Sequence, residues 1–148
     1  YHVMSLAMFI SIIALKNNDE HIENIEDISW IAKINPVMAL IISILLFSLA
    51  GIPPLAGFFA KFYVLHAAID AKLYYLAIFG VLSSVISAFY YLRIIKVMYF
   101  EESANSFDPI SKRLKTIIYL LTAITLLFFL RPSIFINFAG TASASLFI

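Results

Sequence analysis

The sequence predicts an all-α protein: a polytopic bundle of transmembrane helices with one discontinuous helix, broken in mid-span. Three observations carry this. Of 148 residues, 63% are hydrophobic and 13% charged, with mean hydropathy +0.98; a soluble domain averages about half and a quarter. The charge is gathered at 19–33, at 93–115 and at Arg131, and long apolar runs lie between. The longest of these runs is interrupted by Gly51-Ile52-Pro53-Pro54, and a proline pair stops any helix that reaches it.

Residues 1–15 are apolar on every side and would rise about 22 Å as a helix, short of a ~30 Å hydrocarbon core. They lack a basic n-region, so they read as a cropped spanning helix and not as a signal peptide. A polar connection follows through Asn35. Within it Ile25, Ile28, Ile31 and Ala32 recur at helical spacing beside Trp30, which predicts a short interfacial helix. Asn35-Pro36 then supplies an N-cap and a proline at the first helical position.

Residues 36–69 would reach roughly 51 Å as one straight helix, too long for a single span without strong tilt. Two half-helices of about 22 Å, joined at 51–54, resolve this. After a turn at Asp70-Ala71-Lys72, a third segment, 73–99, is long enough to cross. Its Gly80, Ser84 and Ala88 allow close helix approach. A polar loop precedes the fourth segment, 114–130, which Arg131-Pro132 ends; 133–148 read as a terminal interfacial helix. The whole chain is thus one transmembrane domain. If the broken segment crosses once, Lys16, Lys33, Arg93, Lys96, Lys112, Arg113 and Lys115 share one face, which the positive-inside rule assigns to the cytoplasm.

Composition also excludes. A net charge near +1 offers nothing to nucleic acid, and the absence of cysteine rules out disulfides, thiolate chemistry and Cys-ligated iron–sulfur clusters in this chain. No phosphate loop or nucleophile elbow is present. The chemistry that remains is ionic. Lys61 stands just past the proline pair among Phe58, Phe59 and Phe62, at a depth where a charge is costly. To exchange a proton near neutral pH its cation must be disfavoured by roughly 4.6 kcal/mol, within the reach of burial. The nearby N-terminal dipole end of the second half-helix acts in the same direction. Because Pro53 and Pro54 lack N–H groups, the Leu49 and Ala50 carbonyls lose their helical donors and can bind water or a proton chain. Gly51 and Gly57 permit the tight path. The functional reading is a proton relay switched at Lys61; the structural alternative is a lysine snorkelling to an interface.

A secondary polar path could involve His66, Asp70, Tyr90, Tyr91 and Arg93. The plainer reading makes His66 and Asp70 a helix-end pair at four-residue spacing, and makes Arg93 and Lys96 headgroup anchors. His21, Glu20 and Glu23 lack metal-ligand spacing and read as a solvated loop.

The stretch from Leu49 to Val64, with Ile25-Glu26-Asp27 and Asn35-Pro36 before it and Tyr90-Tyr91-Leu92-Arg93 after it, resembles the broken-helix region of the proton-pumping membrane subunits of respiratory complex I. It is most similar to the N type of bacterial NADH–quinone oxidoreductase, subunit 2 in mitochondria, in its C-terminal part. The M type carries a glutamate where Lys61 stands, and Ala60 occupies a position where glycine is common. The resemblance implies that Lys61 belongs to a proton path and that the family's earlier lysines and glutamate lie upstream of Tyr1. It also implies no cofactor in this chain: NADH, FMN, iron–sulfur clusters and quinone would belong to partner subunits. The partners would be homologous antiporter-like subunits and small helical subunits, in a bacterial inner membrane rather than a mitochondrial one. A subunit of a multisubunit Na+/H+ antiporter, a purely structural membrane anchor and a soluble bundle are the alternatives.

Overall fold

The computed structural model describes residues 1–17, 20–102 and 107–130. Residues 133–148, expected as a terminal interfacial helix, lie outside this range.

Six α-helices follow in order: α1 (His2–Ala14), α2 (Ile31–Ile34), α3 (Pro36–Ala50), α4 (Ala56–Asp70), α5 (Tyr74–Phe100) and α6 (Lys112–Leu130). Between α1 and α2 lie a two-residue antiparallel pairing, Lys16 opposite His21 and Asn17 opposite Glu20, and a 3-10 turn at Ile25–Ile28. The expected interfacial helix is therefore two short turns. Asn24 and Asp27 close a capping box on the first turn. Trp30, at φ 68°, bends the chain before the second, and Lys33 lies 3.7 Å above its ring. The bend still delivers Ile28 and Ile31 to the interior.

The core is built around α3, which packs on α1, α2, α4, α5 and α6. Its start is set locally: the Asn35 side chain accepts the Met38 N–H at 3.2 Å, with Pro36 behind it. Its interior is apolar all round, and Met38, Ile42, Leu45 and Leu46 are each 1% exposed or less. Met4, Ala7 and Met8 of α1, Val97 and Met98 of α5 and Ile118 of α6 close around it. Buried Ser11 and Ser43 donate to the carbonyls four residues back, Ala7 and Ala39, so neither of these two hydroxyls is left unpaired in the core.

α3 ends where Gly51 turns left-handed at φ 85°, with the Ile52 N–H returning to the Phe47 carbonyl at 3.1 Å. Residues 52–55 are not helical, and the Pro53–Pro54 bond is cis. α4 ends in a similar closure, the Leu73 N–H on the Ala68 carbonyl with Lys72 at φ 59°. α5 is the one described helix long and apolar enough to cross a membrane by itself, and it carries a row of exposed apolar side chains from Tyr74 to Phe89. It packs against the 3-10 turn and α2, and Val97 and Met98 near its end are buried. The next loop reaches the same end of the molecule, where the Asp108 N–H donates to the Lys16 carbonyl at 2.9 Å.

One contact sets the spacing between α3 and α4. A Cβ on Gly57 would stand 1.7 Å from the Ser48 carbonyl oxygen, which is backbone and cannot turn aside. Gly57→Ala is therefore expected to cost about 3 kcal/mol or more by forcing the two helices apart. Thermal unfolding of the detergent-solubilised protein measures this.

Candidate functional site

The site forms where α3 stops and α4 begins. Pro53 and Pro54 stand where the helical donors to the Leu49 and Ala50 carbonyls would be. Both carbonyls acquire donors from elsewhere. The Lys61 Nζ donates to the Ala50 carbonyl at 3.0 Å. The Tyr1 hydroxyl, from the start of α1, donates to the Leu49 carbonyl at 3.4 Å. One residue earlier, the Ser48 hydroxyl accepts the Gly57 N–H at 3.3 Å and contacts the Met4 sulfur. Three successive residues of α3 are thus read by side chains or backbone of α1 and α4.

The position of Lys61 corrects one part of the sequence argument. The half-buried side chain folds back along the joint, its Cδ 3.0 Å from where a Gly51 Cβ would be, and its ammonium meets the carbonyl end of α3. Chain spacing alone added to burial the dipole at the positive end of α4. The dipole Lys61 touches is the negative end of α3, which attracts a cation. A four-carbon stem reaches across the break, and a carbonyl without a helical donor gives it something to bind.

Lys61 opens on a cleft of about 350 Å3 that Tyr1, Val64, Leu65, Gly80 and Ser84 also line. The Ser84 hydroxyl donates to the Gly80 carbonyl at 2.8 Å, so its lone pairs remain to accept. A second cleft of about 310 Å3, which Tyr1 and Ala60 also line, lies between Phe59, Tyr63 and Phe128; both clefts are mostly apolar. Phe58 stacks on Phe62 and meets Phe59 edge-on, so the aromatic residues flank Lys61 as a packed group.

The other predicted polar residues are elsewhere. His66 and Asp70 pair at 2.9 Å on the outer face of α4, both more than half exposed, as a helix-end pair would be. Tyr91 packs against the core within electrostatic reach of Tyr1, Tyr90 is exposed, and Arg93 lies with Phe89, Leu92 and Lys96 on the outside of α5, roughly 13 Å along the helix from Ser84. Among the described residues, none of the five lines the Lys61 cleft, and no three His, Cys, Asp or Glu side chains group as metal ligands. Tyr1 and Ser48 were not among the predicted site residues. They lie 60 and 13 positions before Lys61, and no local pattern links them to it.

A family model described as NADH:quinone oxidoreductase/Mrp antiporter, TM, matches residues 1–87. The chain belongs to this family. Its relatives in the NADH:quinone oxidoreductase/Mrp antiporter family include NADH-quinone oxidoreductase subunit N of Methylobacterium nodulans, 42% identical over 99% of this chain and 30% of that protein. Subunit N of Pelagibacter ubique is 50% identical over 90% of this chain and 28% of that protein. Subunit N 1 of Rhizobium meliloti is 52% identical over 79% and 25%. The chain thus spans about three-tenths of the length of these relatives. Among solved structures it is similar in fold to a chain of respiratory complex I from Thermus thermophilus with bound aureothin, at TM-score 0.75 and 21% identity, over 88% of this chain and 30% of that one. The fold is accordingly that of an all-α, antiporter-like membrane subunit.

Two substitutions separate the Lys61 site from its surroundings. Gly51→Ala forces an L-residue into a left-handed turn and presses on the Lys61 stem, so it is expected to cost about 1–2 kcal/mol from the backbone alone. Asp70→Asn breaks an exposed pair and is expected to change stability by less than about 1 kcal/mol. Thermal unfolding of both variants in detergent checks the order.

Proposed function

We propose that this chain is part of subunit N of a bacterial NADH–quinone oxidoreductase, and that it translocates protons across the inner membrane with Lys61 as the exchanging group. The redox chemistry of NADH, FMN, iron–sulfur clusters and quinone belongs to partner subunits; a chain without cysteine has no thiolates for a cluster. Its partners are other membrane subunits of the complex. The observation that carries the reading is the Lys61 ammonium on the Ala50 carbonyl, at the one joint where two adjacent residues lack N–H groups. The names of relatives at 42–52% identity support the choice of subunit N.

In this reading α3 and α4 are two halves of one discontinuous membrane crossing. Two observations favour it. Contacts advance in the same sense along both helices, Ser48 with Gly57 and then Ala50 with Lys61. The end of α5 also packs beside the connection that precedes α3. A chain that leaves that end through α3, returns to it through α5, and turns once between them has crossed once in between. The basic residues of the two connections then share a face, the cytoplasmic one by the positive-inside rule.

The mechanism needs Lys61 to alternate between two protonation states. Moving one charge against 100 mV takes about 2.3 kcal/mol, comparable to a change of under two pKa units at one amine. A helix end whose Ala50 carbonyl is held only by a side chain supports such a change, since a small shift of α3 relative to α4 makes or breaks the contact with the ammonium.

In the assembled complex in sealed vesicles, Lys61→Ala is expected to lower NADH-driven proton translocation at least about tenfold with assembly retained. Lys61→Arg keeps a cation but cannot release a proton, and is expected to be equally defective. Wild-type pumping by either variant refutes the relay. Co-purification with quinone-reductase subunits distinguishes this function from that of a Na+/H+ antiporter subunit.

A further inference from the structure

The Tyr1 hydroxyl is 48 positions from Leu49 in sequence, yet it takes one of the two carbonyls that the proline pair leaves without a helical donor. Lys61 takes the other. The two residues also line one cleft, with Ser84 of α5 on its wall. Tyr1 could have been a packing residue, but a packing role does not require its hydroxyl to lie on the backbone of the joint.

The chemistry of the three groups is complementary. An ammonium has three N–H donors, and Lys61 spends one on Ala50. A phenol that donates its single proton to Leu49 presents only lone pairs to the cleft. Ser84, donating to Gly80, does the same. In a cleft that is otherwise apolar, the spare donors of Lys61 and the acceptors of Tyr1 and Ser84 are the groups that can hold a water, which bridges them by accepting from Lys61 and donating to Tyr1 or Ser84. About 350 Å3 is room for several waters.

We propose that Tyr1 is a positioning residue for proton exchange at Lys61: its hydroxyl, anchored on the Leu49 carbonyl, orients the cleft water that accepts the proton Lys61 releases. In that step an N–H bond of the ammonium breaks and an O–H bond of water forms, leaving a neutral amine and a hydronium; the reverse step reloads the lysine. No electron moves. The inference rests on the relay function proposed above and adds to it a residue, Tyr1, and a place, the cleft that Lys61 shares with Ser84.

The test uses the intact complex in sealed membrane vesicles. Tyr1→Phe removes one oxygen and keeps the ring. It is expected to assemble, to slow proton translocation about tenfold, the scale of one lost hydrogen bond, and to raise the slowing caused by D2O, because proton transfer at Lys61 becomes limiting. Ser84→Cys introduces the only thiol of this stretch and probes the cleft directly. A charged methanethiosulfonate is expected to label it, as only a hydrated thiol reacts, and to leave Val85→Cys, on the exposed apolar face, unlabelled. Wild-type pumping by Tyr1→Phe, or a loss with an unchanged isotope effect, overturns the positioning role; so does a Ser84→Cys as inert as Val85→Cys. Should Tyr1→Phe fail to assemble, the labelling decides. Lys61→Ala run alongside separates the two levels: if it pumps normally the relay itself is wrong, and if it stalls while Tyr1→Phe does not, only the role of Tyr1 is lost.

Discussion

The absence of a side chain at Gly57 is the constraint from which the site follows. Any Cβ there would overlap the Ser48 carbonyl, so this residue alone lets the first turn of α4 lie against the last turn of α3. That approach brings the Gly57 N–H to the Ser48 hydroxyl and sets Lys61, one turn further along, level with Ala50. A wider separation would leave the lysine short of the carbonyl and the carbonyl without a donor.

The proline pair does more than end α3. In water, two carbonyls without helical donors would cost little. In an apolar surrounding each one demands a partner, and the partners come from far along the chain. Tyr1 ties α1 to the joint and Lys61 ties α4 to it. The joint between α3 and α4 is thereby the point where α1, α3 and α4 are linked by polar contacts inside an otherwise apolar bundle. An ammonium bound to a carbonyl is a contact that can be made and unmade, which a buried hydrophobic contact is not.

Exposure is unevenly distributed among the apolar helices. α3 is mostly buried, with Val37 and Leu40 exposed near its start, whereas α5 presents Tyr75, Phe79, Val85 and Phe89 outward. Both helices are apolar, and only packing distinguishes them. The charged connections gather at one end, held by the Asp108 contact with Lys16. The apolar lengths of the helices and the clustering of charge thus describe the same layered object from two directions.

Much of this was legible in the residues. Apolar run length, charge clustering and the Asn35-Pro36 and Gly51 signals determined an all-helical membrane chain and where α3 starts and stops, because caps, prolines and left-handed glycines act over a few residues. Pro53 and Pro54 determined that the Leu49 and Ala50 carbonyls would lose their donors. Which groups replace those donors was decided only in the folded chain. The sequence argument took the nearest dipole along the chain, the start of α4, and the structure turned Lys61 to the opposite pole. It also left Arg93 and the Tyr90-Tyr91 pair outside the cleft and brought in Tyr1 and Ser84. The physical reason is the same in each case: hydrogen bonds to a broken helix end are satisfied by whatever packs beside it, and tertiary proximity has no counterpart in local spacing.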